Sequence, residues 1–238
     1  MNSSLLPLGI VIIETLLPAC SEKEIRIDPA TQGMLATQQE IAAIHYPPAP
    51  FTAQTPEVRN AASAGMLFGA VGGAISGAVQ ASEAKQAGSQ LVKDYGLEDP
   101  ILKIKTSFLA AVSRSSNLHN LNSVQEALPD DDLVSLKRNF RQGFIFDFKT
   151  TAWSLNPAGP LSPNNYRVHY AGRARLIRFP EGKIEWQGVC EADAKIEDSA
   201  PTLLQLVANS GAILKSQLNS ASDACLEQLE LQFMGTKP

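Results

Sequence analysis

The chain has 238 residues, 44% of them hydrophobic and 18% charged, which supports one folded domain with extensions and excludes both a disordered polymer and a membrane-saturated protein. A net charge of −4 and a pI near 5.4 leave no basic footprint for nucleic acid. With three cysteines and three histidines, metal and thiol chemistry are restricted from the outset.

Residues Leu5 to Ile13 are apolar throughout, the length of a signal-peptide core and too short to span a bilayer. They lead to Leu17-Pro18-Ala19-Cys20, which resembles a bacterial lipobox. That resemblance implies diacylglycerol transfer to the Cys20 thiol, removal of residues 1–19 as a signal peptide, and acylation of the new amino terminus. Two or three acyl chains together hold a protein stably, at about 0.8 kcal/mol per buried methylene. Ser21 is similar to the residue that follows the cysteine in outer-membrane lipoproteins, which implies that membrane, with the folded part facing the periplasm. The other reading of Cys20 is a buried cysteine in an ordinary amino-terminal helix.

Residues 20–60 read as a lipidated amino terminus and a proline-rich tether. A short helix is expected over Thr31 to Ile44, with Met34, Leu35, Ile41 and Ile44 as its apolar positions. Tyr46-Pro47-Pro48-Ala49-Pro50 cannot be helical, because each proline locks its own φ and restricts the residue before it. Extended as polyproline, residues 46–58 would reach about 40 Å.

A glycine-rich helix is expected over residues 61–82. No charge occurs between Arg59 and Glu83, and Gly65, Gly69, Gly73 and Gly77 recur every four residues. On a helix these glycines form a smooth groove, with Leu67, Val71, Ile75 and Val79 as a ridge on the opposite face. Each glycine costs a helix about 1 kcal/mol relative to alanine, so close packing must compensate. The segment resembles the glycine zippers of envelope lipoproteins. Three readings stay open: an oligomeric or membrane-associated zipper, a helix packed on its own domain, and a small-residue linker.

Residues 83–238 have the patterning of an α+β domain. Asp99-Pro100 opens a helix whose inner face is Ile101, Ile104, Phe108, Leu109 and Val112. A strand follows over Asn120 to Ala127, then a short helix introduced by Pro129 and Asp130 to Asp132. Next, Phe144, Phe146 and Phe148 alternate with Ile145, Asp147 and Lys149, and the run continues to Leu155. Tyr166, Val168, Tyr170, Ala174 and Leu176 share one face of the following strand; Arg167, His169, Arg173 and Arg175 share the other. Ile184, Trp186, Gly188 and Cys190 form the inner face of the last strand. From about Pro201 a long helix carries Leu203, Leu206, Val207, Leu214, Leu218, Ala221, Cys225 and Leu229 on one stripe. The expected fold is an antiparallel sheet of about four strands, packed by an amino-terminal and a long carboxy-terminal helix and preceded by the glycine-rich helix and the tether. The element order over 99–232 resembles the α/β domain shared by the TolB amino-terminal domain, the curli secretion lipoprotein and the lipoprotein activators of penicillin-binding proteins.

If Cys20 carries lipid, Cys190 and Cys225 are the only thiols left, both on core-facing positions. In an oxidising periplasm they are expected to bond; two separate buried thiols are the other reading. No phosphate loop, nucleophile elbow or zinc spacing is present, and His45, His119 and His169 stand apart, so no catalytic residue, cofactor or metal is expected. Asp130 to Asp132 read as a solvated helix cap or a weak calcium site. Arg167, His169, Arg173 and Arg175 form either a solvated sheet face or a surface for an anionic partner. The expected function is a non-enzymatic outer-membrane lipoprotein, held by acylated Cys20, that assembles with its own copies or with envelope proteins as a structural or secretion-complex subunit. The alternative is a pore-forming or translocation subunit whose glycine helices span the membrane.

Overall fold

The computed structural model describes residues 23–235 except 39, 66–68, 117, 119–120 and 197–198, with the backbone alone for 61–76 and 116. Cys20 and its lipobox lie outside the described residues. The elements are α1 (Pro29–Leu35), β1 (Ile41–His45), β2 (Thr52–Ala53), α2 (Pro56–Gly65), α3 (Gly69–Tyr95), α4 (Ile101–Ser116), β3 (Leu121–Ser123), α5 (Leu133–Asn139), β4 (Gly143–Pro157), β5 (Tyr166–Phe179), β6 (Lys183–Asp193) and α6 (Leu203–Met234).

The three long strands form the expected antiparallel meander, with Phe146 opposite Leu176 and Leu176 opposite Trp186. The full sheet is mixed rather than antiparallel. It runs β3-β1-β4-β5-β6, with β1 parallel to both β3 and β4, and β2 pairing farther along the same edge of β4.

That correction comes from the segment expected as a tether. Its helix stops at Leu35, and Ile41–His45 enters the sheet as an internal strand. Ile41 and Ala43 face one core cluster and Ile44 the other. A short apolar run buried on both faces has no alternation to separate it from a helix, so local period could not distinguish the two. The prolines after it do forbid a helix, but they lead the chain along the domain. Tyr46, Phe51, Ala53 and Val58 are buried, the indole Nε1 of Trp153 donates to Ala49 O at 2.5 Å, and the Phe51 and Trp153 rings meet edge to face at 5.0 Å.

One sheet face carries the larger core, covered by α4, α6 and the last turns of α3. Phe108 of α4 is its pivot, with ring centroids 5.8 Å from Phe146, 5.5 Å from Phe148, 5.7 Å from Trp186 and 5.5 Å from Phe233. The opposite face is closed by α5, whose Leu136 packs with Ile44, Tyr46, Ile145, Ile177 and Phe179. Asp132 caps α5 by accepting the Ser135 N–H at 2.9 Å.

Two bulges reset which residues face inward. In β4 a register shift between Thr150 and Ala152 moves the inward set from Phe144, Phe146 and Phe148 to Trp153 and Leu155. In β6 a shift at Glu185 turns Ile184 onto the α5 side, whereas Trp186 and Cys190 keep the larger core; Ile184 is therefore corrected away from the inner face.

Helix α6 begins with a capping box between Thr202 and Gln205. It is not continuous: Ala208 to Gly211 leave helical geometry, with φ of 52° at Asn209, 57° at Ser210 and 73° at Gly211. Leu206, Leu214, Leu218, Ala221, Cys225 and Leu229 are buried as the stripe predicts, and Leu203 only packs on the rim. In the glycine-rich segment the described residues on either side of 66–68 are helical: α2 starts at Pro56, before residue 61, and α3 continues through residue 83 to Tyr95.

Candidate functional site

The arginine face was expected to be open to solvent or a partner. Instead, α5 and the loop before it cover part of it, and Arg173 and Arg175 are buried. Asp147, fully buried between the phenylalanines of β4, accepts from Arg175 Nε at 3.0 Å on each carboxylate oxygen and from the Tyr46 hydroxyl at 2.7 Å. Arg175 Nη2 donates to Asp131 O at 3.0 Å. The Asp131 carboxylate accepts from Arg173 at 2.8 Å and Lys149 at 2.9 Å. Burial alone would raise the Asp131 carboxyl, but the hydrogen bonds and positive charges of Lys149 and Arg173 outweigh it and hold it at about 2. Burial, then the adjacent Asp147 charge, push the Tyr46 hydroxyl up. These groups satisfy one another inside the fold, so Arg173 and Arg175 are corrected from a partner surface to a structural network.

The other two members of that set lie apart, toward the start of β5. His169 Nδ1 is 3.0 Å from Asp193, its Nε2 is 3.6 Å from Glu191, and Arg167 reaches Asp193 at 3.4 Å. Carboxylates of the neighbouring strand β6 thus face both. Of the three consecutive aspartates, Asp132 caps a helix and Asp131 binds cationic side chains.

Cys190 of β6 and Cys225 of α6 are bonded, with Cα atoms 5.0 Å apart, joining the last strand to the helix that covers it. The same helix shields the outer edge of β6. Gln228 accepts from Glu191 N–H at 3.1 Å and donates to Glu191 O at 2.9 Å; Gln232 does the same at Val189, at 3.0 and 2.8 Å. Ile25 pairs with Gln187 through two backbone bonds of 2.9 Å. Residues four apart on a helix are separated by about 6.0 Å and residues two apart on a strand by about 6.6 Å, so the two glutamines match the strand's repeat.

On α3, Gln80 donates to Gln54 Oε1 at 3.2 Å, and the small and apolar stripe that meets the domain runs from Ala84 through Ala87, Gly88, Leu91, Val92 and Tyr95. Gly88, which the glycine period does not single out, crosses β2 so closely that a Cβ there would lie 2.0 Å from Phe51 O. Gly77 is the converse: a Cβ there meets nothing within 4 Å, and Gly77 to Val79 are exposed. Among the described residues, no helix is long and apolar enough to cross a membrane.

A cleft of about 450 Å³ opens beyond the carboxyl end of β1, bordered by His45, Pro48, Asp99, Leu102, Lys103 and Leu218. Asp99 Oδ1 accepts from the Thr150 hydroxyl at 2.6 Å and from Ile101 N–H at 3.2 Å, which ties the start of α4 to the β4 bulge; burial raises its carboxyl. Behind the cleft, Lys105 is 1% exposed, with its ammonium 3.3 Å from His45 Nδ1 and 2.5 Å from Val124 O. Burial lowers both groups, and the Lys105 charge lowers His45 further. No period or motif marks these residues, because the three contributing segments are far apart in the chain.

No protein-family profile matches this chain, and no curated protein matches its sequence. Among solved structures it is similar to a Xanthomonas campestris protein of the DUF330 family at TM-score 0.29 and 9% identity, over 55% of this chain and 62% of that one. A hypothetical protein from Chlamydia trachomatis gives 0.26 and 7%, over 80% and 98% of the two chains. Lipoprotein GNA1162 from Neisseria meningitidis gives 0.24 and 15%, over 77% and 99%. This chain thus spans less than two thirds of the Xanthomonas protein. Likeness at this level transfers no function.

Proposed function

We propose that this protein is an outer-membrane lipoprotein, acylated at Cys20, whose periplasmic α+β domain acts without catalysis as an assembly subunit of an envelope or secretion complex. The observation that carries this reading is the distribution of its three cysteines. Two are bonded in the core, and the third stands in Leu17-Pro18-Ala19-Cys20, three residues before the described domain. An oxidising compartment outside the cytoplasm accommodates both the bond and the anchor.

The assembly surface in this reading is the glycine-rich part of α2 and α3, through Gly65, Gly69, Gly73 and Gly77, taking up a second copy or another envelope protein. Exposed Gly77 supports it, since a smooth helical position with nothing against it permits close approach. The alternative is a pore-forming or translocation subunit whose glycine-rich helices span the membrane; among the described residues no helix is long and apolar enough to do so.

Expression in a Gram-negative host tests the anchor. The intact mass should show cleavage before Cys20 with added acyl chains, and Cys20→Ala should leave the protein unacylated and absent from the outer-membrane fraction. An unprocessed amino terminus with reduced thiols overturns the proposal. For the assembly surface, Gly69→Leu with Gly73→Leu should lower the mass measured by light scattering; an unchanged mass removes self-association through that face.

A further inference from the structure

We infer that the outer edge of β6, together with the last turns of α6, is the surface this domain lays against the phospholipid bilayer. This rests on the acylation of Cys20 proposed above and adds to it a fixed orientation. The described chain is clamped from its first residues: Gln187 Nε2 donates to Lys23 O at 2.8 Å, and Ile25 and Gln187 exchange two backbone hydrogen bonds of 2.9 Å. Only residues 21 and 22 separate Cys20 from Lys23. Three chain steps span at most about 10 Å, so an acylated Cys20 holds the lipid surface within that distance of the clamp.

A tether that lets the domain stand off is therefore absent, and the structure around the clamp suits an interface. Ile25 and Leu231 are exposed by 36% and 42%, and they border one shallow groove of about 370 Å³ with Ile27 and Met234. Exposed Lys23 and Arg26 flank exposed Glu24, and Glu227 and Glu230 lie on the last turns of α6, so the charge on this face is mixed and its apolar groups make the contact. The backbone edge of β6 poses no obstacle to an apolar surface, because Ile25, Gln228 and Gln232 already satisfy Gln187, Glu191 and Val189. Across the sheet, β2 pairs with Ser154 and Leu155, whereas the clamp lies level with Arg175 and Asp147. The end of β2, after which α2 begins, thus lies about 20 Å farther along the strands.

The test uses the full acylated protein in vesicles of phosphatidylethanolamine and phosphatidylglycerol that carry a headgroup nitroxide. Leu231→Cys and Leu161→Cys are each labelled with a fluorophore; Leu161 is 96% exposed in the β4–β5 loop, beyond Tyr166 and about 30 Å along β5 from the clamp. Emission should be lost at position 231 and kept at 161. Flotation with the vesicles but no loss at 231, or equal loss at both, overturns the orientation while the anchor stands. Protein without acyl mass that fails to float overturns both.

Discussion

At the scale of single residues, burial turns ordinary side chains into obligations. Asp147 is 0% exposed and holds Arg175 and Tyr46. Replacing it with alanine leaves a buried guanidinium without its charge partner, which costs about 3–5 kcal/mol, whereas Asp147→Leu with Arg175→Met should recover much of the loss in urea unfolding. Asp131 makes the domain acid-sensitive in a defined window. Its folded value of about 2 lies below the unfolded value near 3.8, so its contribution is present above about pH 4 and vanishes as pH falls toward 2. With Asp131 a quarter exposed, that contribution is on the order of 1–2 kcal/mol, and Asp131→Asn should flatten the stability profile there. Gly88→Ala should lower stability by several kcal/mol in the same assay, since the added methyl meets rigid backbone of β2. Gly77→Ala, with open space around it, should raise helix stability by about 1 kcal/mol.

Among the elements, α6 is a cover, a staple and an edge guard together. Its apolar stripe packs the larger core, Cys225 bonds it to β6, and Gln228 and Gln232 occupy the polar groups of an edge strand that would otherwise template aggregation. Reducing the Cys190–Cys225 bond, which closes a separation of 35 residues, should cost about 4 kcal/mol in guanidinium unfolding. Gln228→Leu with Gln232→Leu should cost about 2 kcal/mol and speed aggregation measured by turbidity, because four backbone groups of β6 lose their partners. The break at Ala208 to Gly211 lets the first turn of α6 follow one direction and the long remainder another, with Gly211 against Tyr95 of α3.

For the molecule as a whole, the inclusion of β1 in the sheet changes what counts as the domain. A fragment starting at residue 83 lacks the strand between β3 and β4 and the Tyr46 hydroxyl on Asp147, so it should fail to give a cooperative thermal transition. Protease should likewise spare the bonds around Pro47 to Pro50 in the native protein, since Tyr46, Phe51 and Ala53 are held in the fold. Sequence alone determined the features that local period and backbone chemistry specify. These are the meander of β4, β5 and β6, the cap among Asp130 to Asp132, the start of α4 at Asp99-Pro100, and the core-facing placement of Cys190 and Cys225. The tertiary structure alone decided that Ile41–His45 is an internal strand, that Arg173 and Arg175 are covered, and that Gly88 has no room to spare. Each of those depends on segments far apart in the chain meeting. A strand buried on both faces shows no alternation, a charged face looks solvated until another element closes it, and a close crossing leaves no mark on either segment alone.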